Sequence, residues 1–346
     1  MILDKFIGVL SNDMAIDLGT ANTIVSVKGK GIIINEPSVV AVQRDKVGKD
    51  KILAVGQEAK RMLGKTPINI QAVRPMQDGV IADFEMTERM IRYFIEKAHS
   101  RKSFIRPRVI ICIPYGITQV ERKAVEESAL SAGAREVFLV EEPMAAAIGA
   151  GIPVSDPEGH VVVDIGGGTT EIGVTSLGGL VLCKSVKVGG DKIDRSIIEY
   201  VRQNYNLFIG ERTAETVKIE VGAAIKLDPE LKIQIKGKDH SGYLSTIELG
   251  SEGIRIAIKE PLKEIASAIR SVLENMPPDL AGDVVDNGII ITGGGALIRG
   301  LDKYLTEIVK IPVRIADEPL LSVAYGTSQV LDEPGLLKII EDMKNS

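Results

Sequence analysis

The chain has 346 residues, with 42 Lys and Arg against 47 Asp and Glu and a formal net charge of −5. Both signs run its whole length, so no basic field is present to draw nucleic acid. Two cysteines and three scattered histidines (His99, His160, His240) lack zinc-site spacing, and no apolar run nears the ~20 residues of a membrane span.

The length is enough for two domains with substantial cores. In chain order, residues 1–11 read as amphipathic: Ile2, Leu3, Phe6, Ile7 and Leu10 share a helical face, with Asp4, Lys5 and Gly8 elsewhere. So short a helix is marginal in water and folds only against a partner, either a membrane interface or its own domain. Asp4 and the lack of a small-residue cleavage site argue against a secretory signal. Residues 14–42 read as successive strands, and 44–83 as a more charged, irregular inserted subdomain. There Gly64-Lys65-Thr66 echoes a P-loop, but the glycine required five positions earlier is Ala59, so it reads as a loop. Met90, Ile91, Phe94 and Ile95 have helical spacing within 87–98. Next comes an apolar tip, Ser103-Phe104-Ile105, flanked by Lys97, Arg101, Lys102, Arg106 and Arg108. That is the composition of a loop that enters an anionic membrane surface, basic groups contributing ~1 kcal/mol each, unless Phe104 folds back onto its domain.

A strand at 109–113 stops at Pro114, a helix spans 118–132 with Gly133 beyond it, a strand covers 137–140, and Glu142-Pro143 opens an Ala-rich helix. Residues 153–159 form a boundary loop. The second half reads as a hairpin (161–174), strands (180–188), helices (193–205 and 210–224) and an alternating hairpin (231–249). A helix at 260–274 ends before Pro277-Pro278, a strand at 288–292 feeds Gly293-Gly294-Gly295, a helix spans 301–309, and 322–331 returns to the first domain. Cys112 and Cys183 lie in apolar runs and are expected to be buried, unpaired thiols.

The strongest signal is a repeated hairpin. VVVDIGGGTTEIGV (161–174) runs an apolar strand through Asp164 into three glycines and out into a second strand. MAIDLGTANTIVSV (14–27) repeats the pattern around Asp17. Backbone without Cβ atoms lets successive N–H groups converge on an anion. The aspartate repels phosphate but suits a hard cation bridging phosphates, typically through water. Two such hairpins suggest a duplicated fold that takes a nucleotide from both sides.

These hairpins, with EEPMAAAIGAG (141–151), GERTAETVKIEVG (210–222) and TGGGALIRG (292–300), resemble the ordered motifs of the actin, sugar-kinase and heat-shock-chaperone superfamily, most closely its bacterial actins. The likeness spans residues 12 to 331 or so. It implies an α/β, ribonuclease H-like duplicated fold with a nucleotide cleft between two domains: 12–152 plus 323–346, and 153–322. Small subdomains would lie at about 34–83 and 207–255.

The same resemblance assigns residues. Asp17, Asp164 and Glu171 would hold Mg²⁺ mostly through its waters, and Gly19, Thr20, Ala21 and Asn22 with Gly166, Gly167, Gly168 and Thr169 would meet the phosphates of ATP, with GTP the alternative. Glu142, with Thr169, would position the attacking water, although a glutamate there is also what a helix dipole favours. Glu215 and Lys218 share a helix face and could form only a solvated salt bridge; the resemblance places them on ribose and adenine, with Gly293, Gly294 and Gly295 beneath the base. Tyr115 and Ile219 depart from the commonest family form.

The implied activity is slow ATP hydrolysis timing assembly of a homopolymer of paired antiparallel protofilaments, peripheral on the inner face of the cytoplasmic membrane. It would serve the cell-wall elongation machinery and rod shape. The competing expectation is a soluble ATPase of the superfamily, chaperone-like or sugar-kinase-like, that forms no filament.

Overall fold

The structure, a computed structural model, describes residues 12–44, 50–99, 105–333 and 335–338. The amphipathic segment with Ile2, Leu3, Phe6 and Ile7, and the loop tip Phe104, lie outside the described residues. The chain divides into two compact units, one holding the chain to Asp156, residues 177–179 and everything from Leu321, the other 157–176 and 180–320.

The first unit begins with the antiparallel strands β1 (Met14–Leu18), β2 (Asn22–Val27) and β3 (Gly31–Pro37). A smaller antiparallel sheet follows, β4 (Val40–Arg44) between β5 (Asp50–Val55) and β6 (Ile70–Val73), with α1 (Gln57–Met62) packed on it. The hairpin of β7 (Met76–Gln77) and β8 (Val80–Ile81) leads to α2 (Phe84–Ala98). Then come β9 (Arg108–Ile113), α3 (Gln119–Ser131), β10 (Glu136–Glu141) and α4 (Glu142–Gly149). The main sheet runs β10-β9-β1-β2-β3, with β1, β9 and β10 mutually parallel. Alternation puts Met14, Ile16 and Leu18 on one face, where Met90, Ile91 and Phe94 of α2 close the core, every one of them buried. Within 44–83, the described residues 50–83 are more regular than their charge suggested, forming short strands and α1, where Glu58 and Arg61 are exposed and Ala59 is buried.

The helix read at 118–132 is α3. Thr118 Oγ1 accepts from the Glu121 N–H (3.2 Å) and the Glu121 carboxylate accepts from the Thr118 N–H (2.8 Å), a complete capping box.

The second unit repeats the plan. Strands β11 (His160–Ile165), β12 (Thr170–Ser176) and β13 (Gly179–Val186) lead into α5 (Gly190–Tyr205). The short β14 (Leu207–Phe208), α6 (Glu211–Val221) and the hairpin β15 (Lys232–Asp239) and β16 (Leu244–Gly250) follow. Helices α7 (Ser251–Ala257), α8 (Lys259–Asn275) and α9 (Pro278–Asn287) precede β17 (Ile289–Thr292), α10 (Leu301–Val309) and β18 (Val313–Ile315). The sheet order β13-β12-β11-β17-β18 matches that of the first unit, with β11, β17 and β18 parallel. Three antiparallel strands followed by two parallel ones, twice over, make this a duplicated ribonuclease H-like α/β fold. Sequence reading missed α7, β18 and α9. The helix at 260–274 does end before Pro277-Pro278, but Pro278 is also the first residue of α9, where a missing N–H costs nothing.

Helix α11 (Ser322–Asp332) returns to the first unit and packs on α4, β1 and β9. At the crossing of α4 and α11 a Cβ on Gly149 would strike the Ser322 carbonyl, and one on Gly326 the Ala145 carbonyl, so the two backbones touch. Cys112 is buried in β9, whereas Cys183 is only half-buried, because β13 is the edge strand of its sheet.

Candidate nucleotide site

In the second unit the candidate residues gather where the parallel strands β11 and β17 end. Asp164 lies opposite Thr292 on β17 and opposite Glu171 on β12, so its side chain shares a face with both. It is 5% exposed, and Thr292 Oγ1 donates to its Oδ1 at 2.8 Å. Burial pushes the Asp164 carboxyl up to about 6, with the Thr292 hydrogen bond pulling the other way. Glu171 is fully buried and accepts from Ser185 Oγ at 3.1 Å. Among the described residues no three His, Cys, Asp or Glu side chains stand close enough to enclose a metal. Carboxylates in this setting fit a cation that keeps its waters, as Mg²⁺ does.

The glycine turn is held from behind. The Gly166 N–H closes the hairpin on the Thr169 carbonyl (2.9 Å), while Gly166 and Gly167 accept at their carbonyls from the N–H groups of Gly190 (3.0 Å) and Asp191 (2.8 Å). Among the described residues the N–H groups of Gly167, Gly168 and Thr169 meet no acceptor, which leaves them for an anion. A Cβ on Gly189 would lie 2.7 Å from the Gly166 carbonyl oxygen, so glycine there lets α5 start against the turn.

Gly293, at φ 79°, donates to the Pro319 carbonyl (2.8 Å), and a Cβ on it would meet the Ile165 backbone. A Cβ on Gly295 would meet the Ile165 side chain. These two glycines therefore let the 293–297 turn lie against the end of β11, a packing role alongside any contact with a base. On α6, Lys218 Nζ donates to Asp194 Oδ2 (2.9 Å) and to the Gly190 carbonyl (3.1 Å), so the pair with Glu215 is not simply a solvated one.

In the first unit the other candidates collect at the same end of β1, β9 and β10. Asp17 on β1 lies opposite Cys112 on β9, which lies opposite Val140 on β10, and Glu142 follows directly as the first residue of α4. Glu142 is 8% exposed, with Pro143 behind it in the helix start. The turn at Gly19, Thr20, Ala21 and Asn22 is braced by Ser38, whose hydroxyl donates to the Gly19 carbonyl (2.6 Å) and whose N–H donates to Ala21 (3.0 Å). Thr20 Oγ1 accepts from the Gly79 N–H at 3.3 Å, which leaves its own hydroxyl proton to give. Sequence reading singled out neither Ser38, Thr292, Gly189 nor Asp194; Thr292 alone carried a signal, as a polar residue between an apolar strand and three glycines.

Of the second apolar patch, Ile105 is half-buried. Two of its five flanking cations have partners within the fold: Lys97 bonds Glu36 and stands 5.5 Å from the Tyr93 ring, and Arg108 bonds Glu136 (2.9 Å). Among the described residues no helix is long and apolar enough to cross a membrane.

Comparison with known proteins bears on the family and the fold. The MreB/Mbl protein family model matches residues 11–339. The chain is 54% identical over 335 residues to the cell shape-determining protein MreB of Escherichia coli strain K12, covering 96% of each chain. It is 49% identical over 325 residues to the cell shape-determining protein Mbl of Bacillus subtilis strain 168, covering 94% of this chain and 97% of that one. The crystal structure of MreB 5 of Spiroplasma citri bound to AMPPNP superposes with TM-score 0.88 at 39% identity, over 95% of this chain and 98% of that one. A MamK double helical filament subunit, at 22% identity and TM-score 0.78 over 93% of this chain and 99% of that one, shares the fold. The chain belongs to the MreB/Mbl family and has its actin-like fold.

Proposed function

We propose that this chain is an ATP-dependent, filament-forming actin that assembles on the inner face of the cytoplasmic membrane and organises cell-wall synthesis to maintain rod shape. The observation that carries the nucleotide reading is the β11–β12 turn, where the N–H groups of Gly167, Gly168 and Thr169 meet no acceptor among the described residues, beside a buried Asp164. On this reading each hairpin is a phosphate-binding loop, and residues 12–152 with 323–346 and residues 153–322 are the two actin-like domains. Their small subdomains are about 34–83 and 207–255. Asp17, Asp164 and Glu171 would hold Mg²⁺, which would supply charge to screen a triphosphate; Glu142 and Thr169 would orient the attacking water, positioning being most of what phosphoryl transfer asks of a protein.

The relatives' role in cell shape and the nucleotide in the Spiroplasma citri structure support this reading. Filament subunits would stack head to tail, a heterologous contact that does not close into a ring, with protofilaments paired antiparallel. Many weak apolar anchors on one filament then bind a membrane by avidity. The test is pelleting and electron microscopy with and without MgATP and anionic liposomes. Filaments that form only with MgATP support the reading. A chain that hydrolyses ATP but stays monomeric at high concentration on lipid is a soluble ATPase of the same superfamily instead.

A further inference from the structure

Asp194 is an acid that the mechanism above does not use. It lies one turn into α5 and is 8% exposed. Its Oδ2 accepts from Lys218 Nζ at 2.9 Å, yet its Oδ1 is buried with no hydrogen-bond partner among the described residues. A buried ion pair with one oxygen unsatisfied is a poor stability device, since desolvation offsets the attraction. Burial pushes the Asp194 carboxyl up against the pull of Lys218, with Glu215 and Asp191 adding to the rise.

What the pair does accomplish is geometric. Lys218 Nζ also donates to the Gly190 carbonyl, and the Gly190 N–H donates to the Gly166 carbonyl of the glycine turn. Asp194 thus holds the ammonium where a single residue, Gly190, joins α6 to the turn. Glu215, one helical turn before Lys218, rides on the same face of α6.

We propose that Asp194 is a positioning residue that, by keeping Lys218 on the Gly190 carbonyl, sets the span between the nucleoside-reading face of α6 and the phosphate-holding turn. The two ends of one nucleotide are then met at once, and the second contact is made at high effective concentration. This rests on the nucleotide reading above and adds that binding of the whole nucleotide depends on a residue that touches neither end.

The test is calorimetry with Mg²⁺ on the full chain, as wild type, Asp194→Asn, Lys218→Ala and the double variant. ATP is titrated directly; tripolyphosphate and adenosine are read as competitors. Asp194→Asn is expected to weaken ATP about tenfold while tripolyphosphate and adenosine each stay within roughly twofold. In the Lys218→Ala background it should add no further loss. The proposal is overturned if Asp194→Asn leaves ATP affinity unchanged, weakens all three ligands alike, or adds its full loss on top of Lys218→Ala. A wild-type chain that takes up no ATP refutes the nucleotide reading instead. Thermal unfolding is followed in the same samples, and if the Asn variant does not fold, Asp194→Ser goes through the same cycle.

Discussion

Asp164→Asn should stabilise the nucleotide-free protein, although it removes a charge from the centre of the candidate site. The carboxyl titrates at about 6 in the fold against 3.8 for the free side chain, because burial disfavours its charged form. Between those values the native state holds a proton that the unfolded chain has released, so stability falls as pH rises toward 6 and stays low above it. A difference of about two units corresponds to ~3 kcal/mol of ionisation cost at pH 7.5. Asparagine is nearly isosteric and can still accept the Thr292 hydroxyl, so the variant should recover most of that cost. In a unit of this size the gain amounts to roughly 6–12 °C in Tm. At pH 4.5 the native carboxyl is already protonated, and the gain should shrink to about 1 kcal/mol or less. Asp194, also pushed up by burial, is common to both proteins and cancels. Urea unfolding of the two proteins at pH 7.5 and 4.5, without nucleotide, reads the difference. An Asn variant no more stable than wild type at pH 7.5, or equally more stable at both pH values, refutes the reasoning.

Further outcomes follow from the same geometry. Glu142→Ala should keep ATP affinity and slow phosphate release by ~10²-fold or more, as loss of a positioned catalytic group does; wild-type turnover would remove Glu142 from the mechanism. Gly293→Ala forces a Cβ onto the Ile165 backbone at φ 79°, so urea unfolding should show a loss of ~2 kcal/mol or more. Changing Phe6 and Phe104 together to Ser should cut sedimentation with anionic liposomes without preventing assembly, and wild-type binding should weaken with salt. A double variant that still polymerises and still sediments like wild type shows that these two side chains are not the anchor.

The parts legible in the sequence were those set by local chemistry. Asp-Gly hairpins, the helix at 118–132 and its stop at Gly133 all declare themselves within a few residues. What stayed hidden depends on contacts distant along the chain. Nothing near Ser38 says that its hydroxyl will brace Gly19, and Asp194 reads as one more charge on a charged helix until Lys218 arrives from α6. Pro277-Pro278 looked like a terminus because the same residue type ends one helix and begins the next. Nor does sequence spacing show that Lys97 will pair with Glu36 and Arg108 with Glu136, because these partners are far away in sequence.

The meeting of α4 and α11 has a consequence for how the protein is made. Because Gly149 and Gly326 bring two backbones into contact, no neighbouring side chain can stand in for α11 until that helix exists. Residues 321 onward leave the ribosome after the inserted unit, which is complete once Leu320 has emerged. The usual order, in which the N-terminal domain folds first, is therefore reversed: the guest closes while the host waits. Throughout that interval the part of the first sheet that α11 will cover lies open on the nascent chain. A product stalled before Leu321 would carry a finished second unit and an unfinished first one.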